Sequence, residues 1–175
     1  PRYCSPDTRS SITTSGTSLL PGKVLKPLAG APLIQRVLER VGRIPGVDKV
    51  VVALAEGPEH DPVEIALKDR DVTVVRGSEG DVLARTAYAS RVARADRVVR
   101  ITSDCPMIDP DVSAIVLRTY LEGRPSGLRY ARTAFDSGYP LGFDTEVFAA
   151  ELLDEAELKA TDPYEREHVT PYIWR

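Results

Sequence analysis

The sequence predicts an α/β fold: a mostly parallel sheet with helices on both faces. Three observations carry this. From residue 31 onward, short aliphatic runs alternate with longer segments of helical periodicity, the signature of strand–helix–strand units. One run, Lys49-Val50-Val51-Val52-Ala53-Leu54, is apolar at consecutive positions, as a strand covered on both faces requires. The chain has 175 residues, 42% of them hydrophobic, enough to bury about 70% of the unfolded surface in one core and too few for two full domains.

The elements follow in order. Leu33, Ile34, Val37, Leu38, Val41 and Ile44 recur at helical spacing behind Pro32, so residues 32–43 read as an amphipathic helix with Gly46 just beyond it. After the Lys49–Leu54 strand come a helix over 61–70, a strand over 71–75, a helix over 81–95 and a strand over 97–102. Asp109 and Pro110 are cap and first-turn residues for a helix reaching Glu122. Residues 128–131 form a weaker strand, 136–142 a loop and 145–158 a further helix. Residues 1–15 depart from the pattern: Thr8 to Ser15 hold Ile12 as their one aliphatic side chain. Such Ser/Thr/Pro/Asp-rich composition predicts a flexible arm or a poor edge strand, an atypical segment open to disorder.

Composition narrows the function. The 23 Lys and Arg against 26 Asp and Glu leave a net charge of −3, which argues against broad adhesion to nucleic acid or an anionic membrane. Cys4 and Cys105 stand far apart with no CxxC motif, so neither a zinc site nor a disulfide scaffold is expected, and a cytoplasmic location fits. No apolar run approaches the roughly 20 residues of a membrane span, and the first residues lack the apolar core of a signal peptide. Neither His60 nor His168 has a Ser or Cys nucleophile at readable spacing, so a hydrolase triad finds no support. His60 reads as a surface loop residue, and the string around His168 as a solvated helix face.

Three segments carry chemistry. Gly16-Thr17-Ser18-Leu19-Leu20-Pro21-Gly22-Lys23 is a small-residue loop ending in a lysine, able to bring backbone N–H groups and one compact charge to a phosphate. It is not a Walker A loop, because Val24 stands where Ser or Thr is needed; an ordinary surface turn is the competing reading. Asp104 follows the 97–102 strand directly, and ligands of open α/β sheets sit beyond the carboxyl ends of strands. A carboxylate there suits Mg²⁺ shared with substrate phosphates, or simply starts a turn before Pro106. Arg76-Gly77-Ser78-Glu79-Gly80-Asp81 leaves another strand at the same edge and leads into a helix, as a nucleotide dock or as a plain turn with an Asp cap.

Taken in order, LPGKVLKPLAGAPLIQRVLERV (Leu20 to Val41), VVRGSEGDVLAR (Val74 to Arg85), VVRITSDCPMIDP (Val98 to Pro110), YPLGFDTEVF (Tyr139 to Phe148) and TDPYEREHVTPYI (Thr161 to Ile173) resemble the spore-coat-polysaccharide-type cytidylyltransferase family, which is similar to the acylneuraminate and 3-deoxy-manno-octulosonate cytidylyltransferases. The resemblance implies a Rossmann-like nucleotide-diphospho-sugar transferase fold. It also implies an enzyme that takes CTP and an acidic sugar, releases pyrophosphate and makes a CMP-sugar with Mg²⁺, for surface polysaccharide biosynthesis. It assigns Lys23 to the triphosphate with Gly16, Thr17 and Ser18 around it, Asp104 to the metal, and Arg76 and Gly77 to the nucleotide pocket. Tyr139, Gly142, Asp144 and Glu146 fall on the sugar side, while Glu167 and His168 match family positions without a role. A homodimer is compatible with the reading. Thr14 and Leu19 stand where the family has arginines, and the family's second metal-binding Asp has no counterpart, so one nucleotidyltransferase domain over 1–175 lacking its C-terminal part is expected. Two alternatives stay open: a catalytically inactive nucleotide- or sugar-binding relative, and a nucleotidyltransferase for sugar 1-phosphates.

Overall fold

The computed structural model describes residues 22–133 and 136–175 and the backbone of residues 10–15. In chain order the elements are β1 (Ser10–Ser15), β2 (Pro27–Leu28), β3 (Ala31–Pro32), α1 (Leu33–Val41), β4 (Lys49–Ala55), α2 (Asp61–Leu67), β5 (Thr73–Gly77) and α3 (Val82–Ala93). They continue with β6 (Arg97–Thr102), α4 (Pro110–Gly123), β7 (Tyr130–Arg132), β8 (Glu146–Ala149), α5 (Glu151–Lys159), α6 (Pro163–His168) and α7 (Pro171–Trp174). Strands β5, β4, β1 and β6 run parallel in that spatial order, and β8 then β7 extend the sheet antiparallel. Successive parallel strands step from β1 to β4 to β5 on one side, and the chain then crosses to β6 on the other. The point where the order reverses lies between β1 and β6, which is where a crevice for ligand opens at the carboxyl edge.

The aliphatic strands alternate between two cores because successive side chains leave opposite faces. Val99 and Ile101 of β6 and Val147 of β8 pack with Val37 and Val41 of α1 and Val116, Leu117 and Tyr120 of α4. On the other face Val98 and Phe148 pack with Leu83 and Ala87 of α3 and Leu152, Leu153 and Ala156 of α5. Val52 of β4 joins Ile34 and Leu38 to Val63 and Leu67 of α2, while Val51 and Ala53 face α3. Helices therefore cover both faces, as predicted.

Two predictions fail, and the reasons are tertiary. Residues 10–15 form neither an arm nor an edge strand: β1 is central, with Ser11 to Thr14 paired to Lys49 to Val52 of β4 and Ser10 to Ser15 to Arg97 to Thr102 of β6. A strand between two aliphatic neighbours satisfies its backbone groups on both sides whatever its own polarity. Residues 145–158 are not one helix. Glu146 to Ala149 form β8, whose pairing to β6 on one side and β7 on the other outweighs helix periodicity that continues into α5. The β2–β3 hairpin also escaped the sequence; Ala29 and Gly30 at its tip both have positive φ, 50° and 83°.

Asp81 caps α3, accepting the Ala84 N–H at 3.0 Å, and is clamped by the Arg166 guanidinium of α6. Burial opposes its ionisation, but Arg166 and the cap bond outweigh this and hold the carboxyl below the usual range. Asp81→Ala removes both links at once. It is expected to lower stability by about 1–2 kcal/mol, read from urea unfolding, because a lost Asp cap alone costs about 1 kcal/mol.

Candidate active site

Lys23 opens a short 3₁₀ turn, Lys23–Leu25, entered through Gly22 in the left-handed region (φ 73°) that an L side chain resists. The next two residues hold the turn down: Val24 and Leu25 pack on the core shared by α1, β4 and α2. Asp104 sits on the turn that joins β6 to α4. Cys105 N–H donates to the Thr102 carbonyl at 3.3 Å and Ile108 N–H to that of Cys105 at 3.1 Å. Asp109 then caps α4 through the N–H groups of Asp111 and Val112. Both ends of the turn are thus anchored, and Asp104 has little freedom to move away from the sheet edge.

The two side chains meet. Lys23 Nζ donates to Asp104 Oδ2 at 3.1 Å, each side chain two-fifths to one-half exposed. Partial burial disfavours the Asp104 carboxylate, but hydrogen bonds from Lys23 and Thr102 and the lysine's charge prevail, so it stays ionised well below the usual carboxylate range. The Cys105 thiol behind it is pushed up by burial and by the charges of Asp104 and Asp144. Asp144 therefore lies on the same side of the molecule as Asp104. It lines a cleft of about 170 Å³ with Arg100, Thr102, Arg132, Thr133, Thr145 and Glu146, beside the carboxyl end of β6. A larger hollow of about 470 Å³ opens at the amino ends of β4 and β5, around Lys49, Val50 and Thr73. That is the wrong edge of a parallel sheet for ligand.

The remaining expected site residues divide. Gly16, Thr17 and Ser18, with Leu19, lie outside the described residues. Arg76 is spoken for by α2: it donates to Asp61 Oδ1 at 2.7 Å and Glu64 Oε2 at 2.6 Å, and to the Gly57 carbonyl at 2.9 Å. Gly77 packs on Arg85, whose Cγ would stand 3.1 Å from any Cβ added there. Tyr139 stacks on Phe143 with ring centroids 6.1 Å apart, and Gly142 N–H donates to Asp144 Oδ2 at 3.1 Å, setting that carboxylate's direction. Glu146 is buried in a network: Tyr130 Oη and Thr170 Oγ1 each donate to Oε1 at 2.6 Å, and Arg100 pairs with Oε2. It builds the cleft wall. Burial works against its charge, yet Arg100, Thr170 and Tyr130 together depress its pKa.

Sequence reasoning missed several residues. Arg85 is 2% exposed and ties the loop after β5 by donating to the Ser78 and Glu79 carbonyls, a role no motif announces. Arg100 was readable only as a charge inside an apolar strand, an oddity that foretells a buried partner. His60 is not a plain surface residue, since its Nε2 is buried beside Glu59 and Glu79. His168 and Glu167 are exposed, as expected for a solvated helix face, with His168 edge-on to Tyr164.

The sequence pattern of a cytidylyltransferase family matches residues 15–175. The spore coat polysaccharide biosynthesis protein SpsF of Bacillus subtilis is 31% identical over 163 residues, covering 90% of this chain and 65% of that protein. A 3-deoxy-manno-octulosonate cytidylyltransferase of Anaeromyxobacter sp. (strain K) is 36% identical over 122 residues, covering 68% of this chain and 47% of that enzyme. The chain thus spans less than two thirds of these relatives' length. Among solved structures, a cytidylyltransferase from Leptospira borgpetersenii superposes with a TM-score of 0.84 at 30% identity, covering 95% of this chain and 69% of that one. No helix among the described residues is long and apolar enough to cross a membrane.

Proposed function

Because the chain belongs to the cytidylyltransferase family, we propose that it carries the catalytic core for transferring CMP from CTP to an acidic sugar, with release of pyrophosphate, in surface polysaccharide biosynthesis. One observation carries the reading: Lys23 and Asp104, separated by eighty-one positions in the chain, form one ion pair at the carboxyl edge of β6, beside the point where strand order reverses. Such a pair is matched to a nucleoside triphosphate with its cation, since the phosphate takes the lysine and the cation the carboxylate. The relatives' names support an acidic sugar acceptor and a polysaccharide setting.

The donor set fits Mg²⁺. Asp104 is ionised and half exposed, its Oδ1 lies 3.9 Å from the Cys105 thiol, and Asp144 adds a second carboxylate on the same side. Hard cations of this kind are held by one or two carboxylates together with substrate phosphates. When bound, the ion supplies charge neutralisation at the phosphate oxygens. The protein's own part is placement. Lys23 pairs with triphosphate oxygens, and the cleft lined by Asp144, Thr133 and Arg132 holds the acceptor, Tyr139 and Gly142 shaping its rim. An acceptor hydroxyl attacks the α-phosphorus in line; the new O–P bond forms as the bond to the bridging oxygen breaks, pyrophosphate leaves with the electron pair and the hydroxyl proton passes to water.

Pyrophosphate release is the test, with CTP, UTP and GTP each offered against acidic sugars and sugar 1-phosphates. Turnover restricted to CTP and an acidic sugar is expected; turnover with a sugar 1-phosphate selects that other class of nucleotidyltransferase. A second reading draws on Thr14 and Leu19, which stand where the family has arginines. Calorimetric CTP binding without pyrophosphate release from any acceptor selects a non-catalytic nucleotide-binding relative.

A further inference from the structure

The loops leaving β4 and β5 bring a second set of ligand-type side chains together, on the same sheet edge but apart from the Lys23–Asp104 pair. Gly57, at φ +115°, turns the chain out of β4 into a 3₁₀ turn, Pro58–His60, that runs into α2. The Glu59 carboxylate folds back over Gly57 so closely that a Cβ there would lie 2.1 Å from Oε1. That carboxylate and Glu79, from the loop after β5, flank His60 Nε2, at 3.6 Å and 4.0 Å. The three ligand atoms all lie within 4.8 Å of one another.

His60 Nε2 is the telling atom. It is sealed from solvent and makes no hydrogen bond, although buried polar atoms are nearly always paired. Two ligands bonded at about 2.1 Å to one tetrahedral ion stand roughly 3.4 Å apart, so Glu59 and Glu79 must close by about 0.2 Å and about 0.6 Å toward Nε2, and toward each other from a separation of up to 4.8 Å. The surrounding charge favours a cation. Arg76 is nearby, but Asp61 and Glu64 already balance it, and Arg85 faces the carboxylates of Glu79 and Asp81.

We propose that Glu59, His60 and Glu79 form a divalent-cation site distinct from Asp104, selective for a Zn²⁺-class ion over Mg²⁺. One imidazole with two carboxylates suits Zn²⁺, whereas Mg²⁺ prefers an all-oxygen octahedron. The ion leaves a coordination position for water and clips the β4–α2 loop to the β5–α3 loop. The inference is independent of the transferase reading, because it needs neither nucleotide nor turnover.

Metal-stripped full chain, without nucleotide, is titrated with Zn²⁺ by calorimetry and with Co²⁺ by visible absorption. One ion per chain is expected, with at least tenfold selectivity over Mg²⁺ and a raised melting temperature. His60→Ala and Glu79→Gln each weaken binding tenfold or more and abolish the Co²⁺ band, while Asp104→Asn leaves both intact. Glu79 is exposed, so its variant reports on binding without threatening the fold. Absence of Zn²⁺ binding in the native protein, or binding unchanged in both loop variants, overturns the proposal.

Discussion

Asp104→Asn is expected to lower CTP-dependent pyrophosphate release by about 10²-fold or more, and Lys23→Ala by a similar factor, with melting temperatures close to the native one. The magnitude follows from what removal of a single preorganised charge-stabilising group does to a transition state. A triphosphate brings about four negative charges to a chain that is itself slightly acidic, and at an effective dielectric of about 20 one charge pair at 4 Å is worth roughly 4 kcal/mol before desolvation. On the proposed reading Lys23 carries a large part of that load, because the resemblance that assigns it to the triphosphate puts Thr14 and Leu19 at its two arginine positions. Stability is spared because both side chains are well exposed and their pair is screened by solvent. The double variant is expected to be little worse than either single one, since the two groups act on one bound nucleotide and its cation. Native turnover in both single variants removes the site assignment.

Glu146→Ala is expected to produce the largest loss of stability, about 3–5 kcal/mol, because it leaves the Arg100 guanidinium buried with no counter-charge. Arg100 and Glu146 are only 12% and 15% exposed, and Arg100 Nε already lacks a partner, so water entering from the cleft replaces the lost carboxylate only in part. Tyr130 Oη and Thr170 Oγ1 lose their acceptor in the same step. For a domain of this size each kcal/mol moves the melting point by roughly 2–4 °C, so a drop on the order of 10 °C is the measurable outcome. Acid titration provides an independent check. The folded pKa of Glu146 lies below its ordinary value of 4.5, so its contribution is complete above that value and is lost as pH falls through the folded one. Urea unfolding of the native chain should weaken on acidification below about pH 4.5, and Glu146→Ala should weaken less steeply. Matching slopes would show that Glu146 is not held ionised by this network.

Neighbouring residues differ in how far sequence alone reached. Lys23 and Asp104 were each legible from position: one closes a small-residue loop, the other follows an aliphatic strand. Their contact was not, because it depends on the 3₁₀ turn reaching the rim beside β6. The network around Glu146 was invisible for a related reason. Arg100, Tyr130, Glu146 and Thr170 come from β6, β7, β8 and the turn before α7, and no periodicity links them. His60 read as a loop residue because the partner that flanks it, Glu79, arrives from the next strand's loop.

The amino-acid sequence by itself determined the α/β class, nearly every helix, and the aliphatic strands β4 and β6, because those rest on local hydrophobic periodicity and caps within one segment. Only the tertiary structure decided that polar Ser10–Ser15 lies at the centre of the sheet, and that residues 146–149 leave their helical pattern for a strand. Strand pairing is a bargain between distant segments. A stretch with ambiguous preference takes the conformation that satisfies the exposed backbone edges of its already apolar neighbours, and only then do Lys23 and Asp104 acquire a common rim.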